Sequence, residues 1–469
     1  MTQPIDARRN GFWRELGNAV RGTDADYTRI DLKRAILLLA IPMVLELLME
    51  STFAVVDIFF VGKLGPSAVA TVGLTETYLF LLYSMAMGLA TAVTALVSRR
   101  IGEKREDEAG TVAVQSILLG LLFSLPFAIA GIFFAKGLLG LMGADAWAIE
   151  QGYRYTRIML GGNAVIILLF VINAVFRGAG NPAIAMRVLW TANAANMLLD
   201  PIFIFGWGPI PAFGVEGAAI ATTTGRSIGV LLQFYYLFRG GQKVALKWEH
   251  IRWNVGVAWN VFKTSLGGIG QMFVGMTSWI FLMRILANVG SEAVAGATIA
   301  LRVMMFTLMP AWGMSNAAAT LVGQNLGAKD PARAESSVWR TGLYNTWFLG
   351  FVSIAYFFFN RQLMGIFTDD ARVIDIGSGW LRILSYSFLV YGWWMVATQA
   401  FNGAGDTRTP TLINIVFFWM IQIPLSWFLA IRLDWAHSGV FWGVFFSETS
   451  VGIFTMWLFT RGKWKTVKV

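Results

Sequence analysis

Long apolar stretches alternate with short polar connectors from residue 34 to residue 460. A run of about 20 apolar residues can cross hydrocarbon as one helix. The pattern predicts twelve spans, near 34–61, 76–98, 110–134, 153–176, 185–206, 214–238, 256–287, 297–322, 337–358, 378–401, 410–431 and 438–460. Residues 1–33 form a basic lead, 239–255 a basic connector and 461–469 a basic tail. No apolar run precedes the first span, which therefore reads as an uncleaved signal-anchor. Trp13, Leu16 and Val20 give part of the lead an amphipathic character, so it is expected on the membrane surface.

The chain repeats itself at an offset of 225 residues. LGPSAVA (64–70) aligns with VGSEAVA (289–295), VSRRIGEK (97–104) with VGQNLGAK (322–329), and RGAGNP (177–182) with NGAGDT (402–407). The expected architecture is all-α and integral to the membrane. Two pseudo-symmetric six-span lobes, 34–238 and 256–460, form a parallel repeat with the ligand site between or within them. The glycine motifs end spans, so they read as helix C-termini rather than phosphate loops.

Composition narrows the class. Of 469 residues 56% are hydrophobic and only 14% charged, against about 25% charged in soluble domains. Cysteine is absent, which excludes disulfides and thiolate metal sites. His250 and His437 both read as loop residues. The net charge of +10 reflects basic loops on one side of a bilayer rather than nucleic-acid binding. Most Lys and Arg fall in the lead, the alternate connectors and the tail, which puts both termini in the cytoplasm. Arg154 and Arg157 fall on the other side.

The polar exceptions within the spans carry the chemistry. Glu46, Glu50 and Asp57 lie on one stripe of span 1, which should face a cavity or a partner helix because acids in hydrocarbon are costly. Pro42 weakens the same helix. Asn196 and Asp200 share a face of span 5, and Thr222 stands at a similar depth in span 6. Two carboxylates, an amide and a hydroxyl suit a hard cation; the same carboxylates would also hold a proton. Under the 225 shift Glu46, Glu50, Asp57 and Asp200 map to Gln271, Gly275, Leu282 and Leu425. The acids are thus expected to serve a task of the first lobe alone. Arg226, mid-span, is expected to pair with Glu46 or Glu50. Tyr386 to Trp394 and Met304, Met305, Met309 and Met314 are candidate cavity wall.

These residues carry a resemblance. Pro42, VDIFFVGKLGPSAVATVGL (56–74), RGAGNP, LLDPIFIFGWGPIPAFGVEGAAIATT (198–223), LVGQNLGAKDPARA (321–334) and FNGAGDTRTP (401–410) together resemble a multidrug and toxic compound extrusion (MATE) transporter. The resemblance covers almost all of the chain after residue 33. It implies export of organic, mostly cationic compounds in exchange for H⁺ or Na⁺. Asp57, Asn196, Asp200 and Thr222 match the first-lobe cation site of one branch, with Asp57, Asn196 and Asp200 as metal ligands if Na⁺ is the ion. The resemblance also implies a span 1 that bends at Pro42. A second branch has acids in spans 7 and 10, where this chain has Gln271 and no acid.

The leading expectation is therefore a secondary antiporter of the cytoplasmic membrane, with no cofactor beyond its coupling ion. Glu46, Glu50, Arg226 and Gln271 are its substrate-cavity candidates. Its partners are small organic molecules and the lipid bilayer, not nucleic acid, and it is expected to be a monomer. The alternative is a lipid or lipid-linked-sugar flippase on the same plan, for which Arg226, Arg284, Arg302 and Arg382 would supply positive charge. An enzyme is not expected, because the spans offer no nucleophile–base pair.

Overall fold

Apolar periodicity and internally satisfied backbone leave helices as the solution for such a chain. The computed structural model describes residues 11–240 and 243–467. Helix α1 spans Gly11–Arg21 and α2 Leu32–Gly62. Then follow α3 (Pro66–Gly102), α4 (Glu106–Leu141), α5 (Tyr153–Gly161), α6 (Ala164–Ala179), α7 (Pro182–Phe205) and α8 (Val215–Arg239). The second half has α9 (Val255–Val289), α10 (Ser291–Gly327), α11 (Pro331–Gly365), α12 (Ala371–Gly403), α13 (Arg408–Asn414), α14 (Ile423–Trp427) and α15 (Ala436–Thr460).

Local chemistry sets the helix ends. Asp31 caps α2 by accepting from the backbone of Lys33 and Arg34. Gly65 followed by Pro66 ends one helix and starts the next. The helices overrun the apolar cores: α3 begins ten residues before the predicted 76, where Thr71 and Thr75 bury hydroxyls bonded to backbone one turn back and Ser67 donates to Asp145.

Two spans depart from the expected single helix. Span 4 starts with a π-wound turn at Ala148–Gly152 and is broken between α5 and α6. Gly161 and Gly162 weaken the helix there. The Asn163 amide replaces lost backbone bonding by donating to the carbonyls of Ser124 and Leu160. Span 11 is α13, a π-wound Ile415–Gln422, α14 and a second π-wound stretch, Phe428–Arg432. His250 is not a loose loop residue: it is buried in a 3₁₀ turn, 3.7 Å from Asp107. His437 falls in the first turn of α15.

Among the described residues, eleven helical segments are long and apolar enough to cross a bilayer. Helix α8 is the twelfth member of the bundle. It has 25 residues, but Glu216, Thr222, Thr223, Thr224, Arg226 and Gln233 dilute its apolar content. It packs along α7 so closely that a Cβ on Gly225 would stand 2.7 Å from the Ala192 carbonyl oxygen.

The repeat is written into the backbone. Lys104 and Lys329, 225 apart, both have φ of 61°, and Gly180 and Gly405 have φ of 89° and 88°. One apolar core fills the first lobe and three clusters pack the second. Another joins Leu32–Met43 of α2 to Ala317 and Leu321 of α10. This joint sits at the end that carries α1 and residues 243–254 of the connector, termed proximal below. The hydrogen bonds that cross between lobes lie there too. Thr320 donates to the Arg177 carbonyl (3.2 Å) and Gln324 to the Gly178 carbonyl (3.0 Å). At the distal end the ion pairs stay within a lobe: Lys136–Glu150 and Arg154–Glu216 in one, Arg372–Glu292 and Arg361–Asp375 in the other. Among the described residues these bonds join the lobes at the proximal end, while the distal ion pairs stay within each lobe.

The lead folds onto this closed end. Trp13 of α1 is 73% exposed while Ala19 is buried, as an interfacial helix requires. Residues 1–10 lie outside the described residues. Residues 25–30 take cations from both lobes: Lys243 donates to the Ala25 carbonyl, Lys104 to the Asp26 carboxylate, and Arg333 to the carbonyls of Tyr27 and Ile30. Burial lifts the Asp26 carboxyl, but hydrogen bonds from Lys104 and Thr28 outweigh it and bring it down to about 2. Its folded value is depressed, so its stabilisation is present above the unfolded value near 4 and is lost as pH falls through about 2. Asp26→Asn is expected to melt below wild type at pH 5, with the gap closing toward pH 2, as followed by tryptophan fluorescence in detergent.

Candidate functional site

Between the lobes, above the proximal joint, lies a cavity of ≈ 200 Å³. Glu46 and Glu50 of α2 reach it, with Arg177 of α6 and Met87 of α3 on the same side. The second lobe supplies Met309, Trp312 and Asn316 of α10 and Gln399 and Asn402 of α12. The wall is apolar with a few placed polar groups, the usual make-up of a small-molecule site.

The stripe expected on α2 divides in two. Glu46, 4% exposed, accepts from Arg177 Nη1 at 2.9 Å and Asn173 Nδ2 at 3.1 Å. Asn173 in turn accepts from Gln233 at 2.7 Å. Glu50 accepts from Asn193 at 3.0 Å and lies 3.7 Å from Arg226. Arg226 therefore pairs with Glu50, and Glu46 takes a cation that sequence reasoning missed. Arg177 sits in the RGAG motif, where glycine geometry drew attention away from its side chain. Arg226 does not line the cavity. It lies behind Glu50, with the rings of Phe53 and Tyr83 within 6 Å (5.9 and 5.7 Å) of its guanidinium. Gln271 is likewise one layer back, donating to Asn402 and to the Thr407 carbonyl.

Removing one member of a buried pair strands the other, at about 3–5 kcal/mol. Arg177→Gln is thus expected to lower melting more than the Arg177→Gln/Glu46→Gln double variant, measured in detergent. Equal melting of the two would show that no buried pair exists.

Toward the distal end of the first lobe the bonding thins. Asn196 Nδ2 donates to Thr222 Oγ1 at 3.0 Å, so two of the expected residues meet directly. Asp200, one turn on, is fully buried, and neither carboxylate oxygen has a hydrogen-bond partner. The side-chain oxygen of Asn196 is also without one. Asp57 stands within electrostatic reach of Asp200, Arg226 and Glu76. Glu76 of α3 is a further acid that sequence reasoning left at the edge of a span. No three His, Cys, Asp or Glu side chains converge as a metal cluster among the described residues. A cation here would draw on amide and hydroxyl oxygens as well. Pro42 lies buried where α2 joins α10, and α2 remains one helix through it.

One carboxylate contradicts the expectation that the second lobe has none. Glu448, in the middle of α15, is 6% exposed. The four first-lobe acids do map to uncharged positions, so a position-by-position comparison could not reveal an acid on a different helix.

Residues 42–202 and 265–428 match the MatE family, one block in each lobe. The chain is 25% identical over 446 residues to "Probable multidrug resistance protein NorM" of Thermotoga maritima, covering 93% of this chain and 94% of that one. It is 24% identical to "FAD transporter" of Shewanella oneidensis, covering 84% and 87%. A solved structure described as the outward-facing conformation of a multidrug resistance MATE family transporter superposes with a TM-score of 0.87 at 26% identity, covering 94% of this chain and 98% of that one.

Proposed function

The chain belongs to the MatE family of multi-pass membrane transporters, and from that premise we propose that it is a secondary antiporter exporting organic, chiefly cationic, drug-like compounds across the cytoplasmic membrane in exchange for H⁺ or Na⁺. The proximal end, which carries α1 and residues 461–467, faces the cytoplasm in this reading, and the distal end faces out. Multidrug-export names among the relatives support the substrate class.

The observation that carries the proposal is the buried carboxylate of Asp200, which has no hydrogen-bond donor and lies within electrostatic reach of Asp57. Two acids at close quarters in low dielectric repel, and a proton or cation relieves that repulsion. A proton or cation that enters there is therefore held by both acids. The substrate occupies the inter-lobe cavity, where Glu46 and Glu50 contribute charge and Met309 and Trp312 contribute adaptable apolar surface. Ion and substrate favour different arrangements of the lobes, and each shifts the equilibrium only by its differential affinity. Repacking of α2 at Pro42 links the two sites, since Asp57 and Glu46 ride on the same helix.

Everted vesicles test this. A fluorescent lipophilic cation should be taken up when a pH or a Na⁺ gradient is imposed, each separately. Movement of a labelled lipid in place of the cation, with neither gradient acting, would replace antiport by lipid flipping.

A further inference from the structure

Five carboxylates of the spans, Glu46, Glu50, Asp57, Asp200 and Glu448, fall into two kinds. Glu46 and Glu50 are held by donors on α6, α7 and α8. Asp57, Asp200 and Glu448 have no hydrogen-bond donor among the described residues. The first two of these belong to the proposed coupling site. Glu448 stands apart, in the other lobe, twelve residues from either end of α15. At about 1.5 Å per residue that is mid-depth, roughly level with Glu50 and Arg226. An ionised carboxylate at that depth without a donor is among the costliest groups a span can carry.

Its position follows from the repeat. The 225 shift places Ser447 on Thr222 and Glu448 on Thr223. Thr222 bonds Asn196, one turn from Asp200. Glu448 therefore stands one residue beyond Ser447, the second lobe's counterpart of Thr222, on the sixth span instead of the fifth. The fifth-span counterpart of Asp200 is Leu425.

The surroundings differ from packing alone. Span 11 is π-wound opposite this point, and its Phe417 carbonyl accepts from Ser447 at 2.7 Å. Such windings recur at functional sites. On the α12 side Gly452, one turn from Glu448, lets α15 approach Val390 and Trp394. Tyr391 and Trp394 pack with ring centroids 4.9 Å apart, and the Trp394 indole N–H is buried without a partner. Tyr391 is the titratable group that feels the charge of Glu448. From span 11 and α9 the nearby polar groups, Gln422 and Ser278, bond each other at 2.9 Å and carry no charge.

We propose that Glu448 is a second proton-binding site, in the lobe that lacks the acids of the first. Its carboxylate takes one proton from water in the outward-open arrangement and returns it to water when the lobes exchange. This rests on the antiport reading, which it extends to both lobes.

Dicyclohexylcarbodiimide attacks protonated carboxyls in apolar surroundings and leaves an N-acylurea that peptide mass spectrometry locates. The full chain in detergent is treated at pH 6, 7.5 and 9. Glu448 should be modified, with at least a fivefold fall between pH 6 and 9, and modification should persist in the Asp57→Asn/Asp200→Asn protein. Absence of modification at pH 6, with Asp200 modified in the same digest, overturns the site. In liposomes Glu448→Gln should move fewer protons per substrate, and Glu448→Asp should restore the ratio. An unchanged ratio in Glu448→Gln also overturns it. Failure of the antiport reading looks different: wild type would then show no gradient-driven transport, whatever the labelling.

Discussion

Asp200→Asn protein, folded and reconstituted in liposomes, is expected to show no substrate movement in response to an imposed pH or Na⁺ gradient. The substitution keeps the shape of the side chain and removes its charge. Asp200 is fully buried, so the bundle loses a charge it had difficulty accommodating, and folding should not suffer. What disappears is the repulsion toward Asp57, and with it the reason for an ion to enter. Asp57→Asn is expected to do the same from the α2 side. Substrate binding in the inter-lobe cavity should persist, because neither residue lines it. Gradient-driven transport should fall to the level of empty liposomes, at least a hundredfold below wild type. Wild-type coupling in both variants would make these acids structural and sink the mechanism.

Gly102→Val should open the proximal seam. At Gly102 the backbones of α3 and α10 touch: a Cβ there would stand 2.0 Å from the Gln324 carbonyl oxygen and 2.9 Å from its Cα. Backbone cannot rotate aside as a side chain does, so the helices must separate. The repeat makes the contact reciprocal, since a Cβ on Gly327 would stand 2.3 Å from the Arg99 carbonyl oxygen. The chain has no cysteine, so Ala319→Cys on the cavity wall supplies a single thiol. A membrane-impermeant maleimide applied to the proximal side should label it at least tenfold faster in the Gly102→Val background, and transport should be lost. Gly62→Val, where nothing lies within 4 Å of the added Cβ, controls for the change of residue type. Unchanged labelling would mean that the seam at Gly102 does not gate the cavity.

Much of this molecule was legible as pattern. Twelve apolar stretches and a repeat at one offset were enough for the lobes, because helix formation in hydrocarbon depends on local composition. The same α2 stripe put Glu46, Glu50 and Asp57 on one face, since 3.6 residues per turn is a property of every α-helix. Local sequence also placed Asn196, Asp200 and Thr222 at one depth, and the Asn196–Thr222 bond forms there.

What the sequence could not decide was partnership. Glu46 meets Arg177, 131 residues away, while Glu50 meets Arg226. Two acids one turn apart on one helix offer equal claims to a cation, and only the packing of α6 and α8 around α2 assigns them. The break in span 4 and the π-wound turns of span 11 answer to neighbouring helices in the same way. Glu448 was hidden because its counterpart Thr223 is uncharged, so a comparison that starts from the first-lobe acids never reaches it. Periodicity and apolar content are properties of a segment and can be read along the chain; which groups share a low-dielectric interior is a property of the assembled helices.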